Sequence, residues 1–232
     1  MVLDGSVVEF YPDGHKKRIA QYSNGTLIGN FVDYYPNGKV YLSGTHGVEE
    51  TRIDSCNDVT GHMLAERGNG RQVVYDGNFK ETGGGALFNG HRNGSWKYIL
   101  NDSLSYEIQY DKGKIVSGVS YDNKGKKYSF LKEETPAVFM GRGKAFTNYI
   151  TEILKYPFEA AEKHVQGRVV LGFDVDKDGA VKNIKILHGI GFGCDEAAVT
   201  ALRLCPRWTP AKYYGMPLIT HVVQTVNFSL DK

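Results

Sequence analysis

The sequence predicts an α+β chain in two parts. An all-β meander of antiparallel hairpins is expected over residues 1–131 and a mixed unit over 145–232, with a linker at 132–144. Three observations lead there. A ten-residue motif ending in a Pro-Asp-Gly or Pro-Asn-Gly turn recurs after 24 residues. Residues 167–176 alternate apolar and polar and run into Asp176-Lys-Asp-Gly179. Two later stretches space their apolar residues as one face of a helix does. At 232 residues the chain is long enough for two modest domains.

The repeat is plainest in Gly5-Ser-Val-Val-Glu-Phe-Tyr-Pro-Asp-Gly14 and Gly29-Asn-Phe-Val-Asp-Tyr-Tyr-Pro-Asn-Gly38, which align without gaps. Weaker copies begin at Gly70, Gly94 and Gly118, again 24 residues apart. The polar stretch Asp54–Gly61 interrupts the period and reads as an inserted loop. Each unit predicts a strand, a tight turn and a return strand. Proline presets φ in the turn and glycine takes the positive φ. Tyr22-Ser-Asn-Gly25, Phe88-Asn-Gly90 and Tyr110-Asp-Lys-Gly113 repeat the device at the intervening turns. A fixed period of this size implies stacked supersecondary units, each packing on its neighbours. Tyr11, Tyr35, Trp96 and Tyr121 are expected to fill the apolar face of the sheet. This pattern over residues 4–130 resembles the bacterial variant of MORN repeats. The resemblance implies a hairpin scaffold associated with protein or membrane-surface contact.

Lys132-Glu-Glu-Thr-Pro136 breaks the strand pattern. Phe146, Ile150, Ile153 and Leu154 then mark an amphipathic helix from near Lys144, ending before Tyr156-Pro157. Ala160-Ala161 form a short turn or a further helical segment. Val169, Leu171, Phe173 and Val175 share one face of a strand. After the turn at Asp176–Gly179, the return strand carries Val181, Ile184, Ile186 and Leu187. A glycine-rich loop, His188 to Gly193, leads to a helix opening at Cys194-Asp-Glu. Acids in its first turn suit the helix dipole, and Pro206 closes it. The last strand, about Ile219–Leu230, sets Val222, Val226 and Phe228 on one face, with Gln224 as the odd member.

These blocks, in this order, resemble the C-terminal domain of the TonB family of cell-envelope proteins over residues 139–230. The matching motifs are Tyr156-Pro157, Gly167 through Val175, Asp178-Gly179-Ala-Val181, Asp195-Glu-Ala-Ala198, Trp208-Thr-Pro210-Ala211, Gly215-Met-Pro217 and Val222–Phe228. The resemblance implies a three-stranded antiparallel sheet with two helices on one face. It also implies that the last strand pairs with an extended segment of an outer-membrane transporter, and a periplasmic or envelope location. The full energy-transducing protein of that family has a membrane anchor and a long proline-rich spacer. Here prolines number seven, and the repeat stands where the spacer would. The strand pattern opening at Ser6 is expected of a fragment whose leader or anchor has been removed.

Composition narrows the partners. Net charge is +2, from 28 basic and 26 acidic residues, with 10 and 9 of them in residues 145–232. Neither half carries the basic excess that nucleic acid requires. No apolar run reaches a membrane-spanning length of about 18 residues. Cys56, Cys194 and Cys205 are an odd set, which is no disulfide framework, and their redox state is not set by the sequence.

The side-chain motifs have plainer readings than their chemical ones. Asp174-x-Asp176-x-Asp178-Gly179 starts like an EF-hand loop but has Lys185 where a bidentate glutamate is required, so it reads as a hairpin turn. Gly189-x-Gly191-x-Gly193 imitates a phosphate loop, but Asp195 and Glu196 would repel an anion. Cys194, Cys205, His188 and His221 match no zinc spacing. Trp208 is expected to pack over the sheet. No catalytic residue, metal site, cofactor or small-molecule substrate is expected.

Backbone chemistry remains. The final strand is expected at a sheet edge, with Val222, Val223, Gln224, Thr225, Val226, Asn227 and Phe228 receiving a protein partner by strand addition. A second reading has the same edge pairing with its own copy in a homodimer. A third places an enzyme in Cys56–Arg67 or the His188 loop, and requires a deep polar pocket.

Overall fold

The computed structural model describes residues 2–48, 50–101, 104–140 and 146–230. The chain divides into two units, Met1–Leu131 and Lys132–Lys232.

The first unit is a twelve-stranded antiparallel meander in which every strand pairs with its sequence neighbours. The strands are β1 (Gly5–Phe10), β2 (Lys16–Ser23), β3 (Thr26–Tyr34), β4 (Val40–His46), β5 (Thr51–Asn57) and β6 (Met63–Glu66). They continue as β7 (Asn69–Tyr75), β8 (Glu81–Phe88), β9 (His91–Asn101), β10 (Leu104–Asp111), β11 (Lys114–Tyr121) and β12 (Lys127–Phe130). Two turn forms recur among the described residues. Two-residue turns pair a non-glycine residue with glycine, both at positive φ: Asn24-Gly25, Arg67-Gly68, Asn89-Gly90 and Lys112-Gly113. That is the turn whose twist matches the strands it joins. Longer turns close through paired backbone bonds, such as Tyr11 N–H to His15 O at 2.8 Å and Gly14 N–H to Tyr11 O at 2.9 Å.

The longer turn corrects the reading of Asp54–Gly61 as an inserted loop. Asp58 N–H bonds His62 O at 2.9 Å and Gly61 N–H bonds Asp58 O at 2.9 Å, the same geometry as at Tyr11 and Tyr35. The segment is therefore a regular strand end and turn. The oxygen organising it has moved: Asp13 and Asn37 sit third in their turns, whereas Asp58, Asp76 and Asp122 sit first and accept two amides each.

Aromatic rings lie over cross-strand glycines in the core of this unit. Gly85 faces Trp96, Gly44 faces Phe31 and Gly118 faces Phe130. A Cβ on Gly85 would sit 2.4 Å from the Trp96 ring, and one on Gly118 would sit 2.2 Å from the Phe130 ring. Tyr35 and Trp96 are fully buried, as the apolar-face reading expects, while Tyr121 is exposed. Two turns and strand β5 are also tied in a closed cycle. Gly68 N–H bonds Asp54 O at 2.8 Å, Gly90 N–H bonds Gly68 O at 2.8 Å, and Ile53 N–H bonds Gly90 O at 2.9 Å.

The second unit is α+β. Its elements are β13 (Glu134–Thr135), α1 (Phe146–Ile153), α2 (Phe158–Glu162), β14 (Gly167–Val175), β15 (Val181–His188), α3 (Cys194–Arg203), β16 (Lys212–Tyr213), β17 (Met216–Pro217) and β18 (Thr220–Phe228). The main sheet has three antiparallel strands in the order β15-β14-β18. Among the described residues there are three helices rather than the two the resemblance implies, because the segment read as a short turn or further helical segment at Ala160-Ala161 is a helix, Phe158–Glu162, after Pro157. The expected start of the first helix near Lys144 lies outside the described residues. Where described, the stretch expected as a linker is tied into this unit. Glu134 and Thr135 pair with Tyr213 and Lys212, and the Phe139 ring lies 5.5 Å from that of Trp208.

Val169, Leu171, Phe173 and Val175 are fully buried on one face of β14, against Ala198 and Leu202 of α3 and Phe146 and Ile150 of α1. Trp208 joins them, 5.4 Å from the Phe173 ring. Burying such side chains contributes roughly 1.5–3 kcal/mol each and holds the central strand in place.

Candidate functional site

β18 is an edge strand. It pairs with β14 through nine successive residue pairs, from Gly167↔Phe228 to Val175↔Thr220, with no shift in register. Among the described residues no strand of the sheet lies on its other side. An edge strand turns about half of its backbone N–H and C=O groups away from its single neighbour.

The side chains alternate as a half-buried strand requires. Val226 and Phe228 are buried, and Phe228 meets the Tyr156 ring edge-on at 5.6 Å. Val222 and Gln224 are half-buried on the same face. Val223 is 52% exposed, and Thr225 and Asn227 are exposed with it. All seven sequence-predicted residues, Val222 to Phe228, thus lie on one strand in one regular register.

Both ends of the strand are tied. Leu218 N–H bonds Ala211 O at 3.0 Å, and Leu230 N–H bonds Gln166 Oε1 at 3.1 Å. His221, which lies in the predicted strand but outside the seven predicted binding residues, reaches across to Asp174 with Nδ1 3.0 Å from Oδ1. Asn183 Nδ2 donates to the other oxygen at 2.8 Å. These two contacts hold the Asp174 carboxyl below its ordinary value of 3.8. Cross-strand register could have found this pair, since His221 stands directly opposite Asp174.

The sheet's other edge differs. β15 pairs with β14 through two register shifts, and Asn183 within it has φ +53°. Bulges of this kind twist an edge and interrupt the row of groups another strand would need. They also explain why Ile186 and Leu187, expected among the apolar residues of the return strand, are about half exposed. β15 also carries Lys182 and Lys185, whereas Val222–Phe228 contains no charged residue and no proline. Of the two edges, β18 alone combines unbroken register with an uncharged side-chain row.

The remaining motifs are occupied internally. Asp176 pairs with Lys182, and Asp178 with Arg207, so the three carboxylates of the EF-hand-like run turn to three different partners. The glycine loop's amides are held by the chain's own carboxylate: Asp195 accepts from Ile190 N–H at 2.8 Å and Gly191 N–H at 3.3 Å. Cys194 is buried at the start of α3, and Cys205 follows its end. Burial pushes both thiols up. Cys56–Arg67 is strand, turn and strand. No helix among the described residues is long and apolar enough to cross a membrane.

Residues 153–230 match the family model described as Gram-negative bacterial TonB protein C-terminal. The match falls within the second unit, and the matched segment contains α2, β14, β15, α3 and all of β18. No curated protein matches the chain.

Proposed function

We propose that this is a non-enzymatic periplasmic protein of the Gram-negative envelope that binds an extended peptide by strand addition along β18. The partner is a segment of an outer-membrane transporter, with energy-dependent transport as the process served. The observation that carries this reading is the unbroken, uncharged edge of β18 in a domain matched by the TonB C-terminal model. Backbone hydrogen bonds would supply affinity, each contributing roughly 0.5–1.5 kcal/mol net. Val223, Thr225 and Asn227 would read alternate side chains of the added strand on the exposed face. In the same proposal residues 4–130 are bacterial-variant MORN repeats that serve as a scaffold for this domain.

Two single variants test the edge. Successive residues of a strand point their N–H groups to opposite sides, so one of Val223→Pro and Gln224→Pro removes an outward donor and the other removes a bond to β14. The assay is binding to immobilised N-terminal peptides of outer-membrane transporters, with circular dichroism as the folding check. The expected result is that the outward variant keeps its spectrum and loses peptide binding at least tenfold. Full binding by both folded variants would reject the edge. A concentration-dependent dimer in sedimentation that the outward proline abolishes, with no peptide bound by wild type, would replace the transporter with a second copy.

A further inference from the structure

A groove of about 700 Å³ opens beside the Thr220 end of β18. Thr135 and Pro136 line it from β13 and the residue after it, Ala211 and Tyr213 from β16 and the residue before it, and Leu218 and Thr220 from the approach to β18. Backbone pairing fixes these walls. Thr135 pairs with Lys212, Lys212 pairs with Pro217, and Leu218 N–H bonds Ala211 O at 3.0 Å. The charged lining residues, Glu134 and Lys212, are exposed and opposite in sign, so the groove has no net charge to select an ion. Pro136 and Leu218 are exposed and offer apolar surface for a visitor to cover.

Strand alternation brings this groove to the binding edge. Thr220 shares a face of β18 with Val222, Gln224, Val226 and Phe228. On β14 that face is sealed, because Val175, the partner of Thr220, is 0% exposed. On β18 it is closed at one end only. Val226 and Phe228 are buried, whereas Thr220, Val222 and Gln224 are half-buried. Thr220 Oγ1 is itself buried with no hydrogen-bond partner among the described residues. The face therefore opens at the edge strand, toward Thr220. A strand added there would lay every second side chain on this face, with the residue opposite Thr220 about 5 Å away between Cβ atoms. That side chain would stand beside the groove.

We propose that the peptide added to β18 carries a bulky apolar side chain, aliphatic or aromatic, at the position opposite Thr220, and that this groove holds it. The proposal rests on strand addition along β18 and names the residue class the partner must present there. Backbone bonds along β18 accept any sequence, so a side-chain pocket at one end fixes register and selects among peptides. Thr135 and Pro136 lie outside the residues matched to the family model, so this wall belongs to the part of the chain that the match does not cover.

The test is a position scan. Each residue of an N-terminal transporter peptide that binds the full chain is replaced by alanine. Affinities are measured by calorimetry for wild type, Leu218→Gln, Thr135→Trp and Val116→Gln. One peptide position is expected to lose at least tenfold in affinity, at the C-terminal end of the paired stretch if the added strand runs antiparallel to β18 and at the N-terminal end if it runs parallel. Leu218→Gln should weaken the parent peptide at least tenfold, yet hardly weaken the peptide already cut back at that position, because both changes remove one contact. Thr135→Trp, which fills the groove from its other wall, should give the same pattern with an unchanged unfolding midpoint. Val116→Gln, at an exposed residue of β11, should bind as wild type does. A peptide that binds but has no position coupled to Leu218 or Thr135, or whose coupled position lies mid-strand, would overturn the groove and leave strand addition standing. No peptide binding by wild type would overturn both together.

Discussion

Gly85→Ala tests the packing of rings on glycines in the first unit. The added methyl would lie 2.4 Å from Trp96 Cγ and Cδ1, so the ring must retreat by roughly 1 Å to reach ordinary contact. Trp96 has little room to do so. It is 0% exposed, its Nε1 donates to Ala86 O at 2.9 Å, and Arg92 lies over its face at 5.0 Å. Overpacking of this kind costs about 1–3 kcal/mol, and a lost or bent indole bond about 0.5–1.5 kcal/mol. The smaller conformational freedom of alanine in the unfolded chain returns about 0.4–1 kcal/mol. The net expectation is a loss of about 2–3 kcal/mol, or roughly 6–12 °C in the melting of a unit this size. Gly77→Ala is the control, since its Cβ would meet nothing within 4 Å and its φ is not positive. Urea and thermal unfolding of both variants, followed by near-ultraviolet circular dichroism, give the answer. A Gly85→Ala midpoint within about 0.5 kcal/mol of wild type, or equal losses in the two variants, would refute the reasoning.

Three further outcomes are expected. Asp195→Ala should lower the stability of the second unit by about 1–2 kcal/mol in urea unfolding, because Ile190 and Gly191 lose their acceptor. Asp174, Asp176 and Asp178 all have carboxyls held below 3.8 in the folded state. The stability they contribute is complete above that value and is lost as pH falls through it toward their folded values; the urea midpoint should drop between pH 5 and pH 3, and less so in Asp174→Asn. Iodoacetamide at pH 8 should label Cys205 before Cys56 and Cys194, as mass spectrometry of timed digests would show, because the latter two are fully buried.

Much of this architecture is written locally. Pro12-Asp13-Gly14 and Pro36-Asn37-Gly38 announce their turns because proline, an accepting side chain and a positive-φ glycine all act within five residues. The alternation of Val169, Leu171, Phe173 and Val175 likewise places β14 with one buried face. The turn at Asp58 escaped notice because the accepting oxygen moved from the third position to the first while the backbone bonds stayed the same. At Phe79 a non-glycine residue takes the positive φ, +58°, so in that turn the glycine marker is missing, whereas the Asp58 turn keeps it in Gly61. The helix at Phe158–Glu162 was legible only as a short turn or helical segment at Ala160-Ala161, because five residues are too few for a periodic pattern. The contrast between the two edges of the second sheet depends on the register of β15 against β14, which side-chain alternation in either strand does not fix. A cleft in the first unit is lined by residues as far apart in sequence as Arg18 and Lys114, which no local pattern brings together.

The loop of bonds through Asp54, Gly68, Gly90 and Ile53 also decides where this chain can grow. Both glycines stand shoulder to shoulder with neighbouring main chain, as a Cβ on Gly68 would come within 2.3 Å of Gly90 N. One added residue at either corner would pull both turns and β5 out of step at once. Near Gly14 or Gly125, where a Cβ meets nothing within 4 Å, extra residues would simply bulge into solvent. Length variation among descendants of this sequence should therefore gather at the open corners and spare the locked ones.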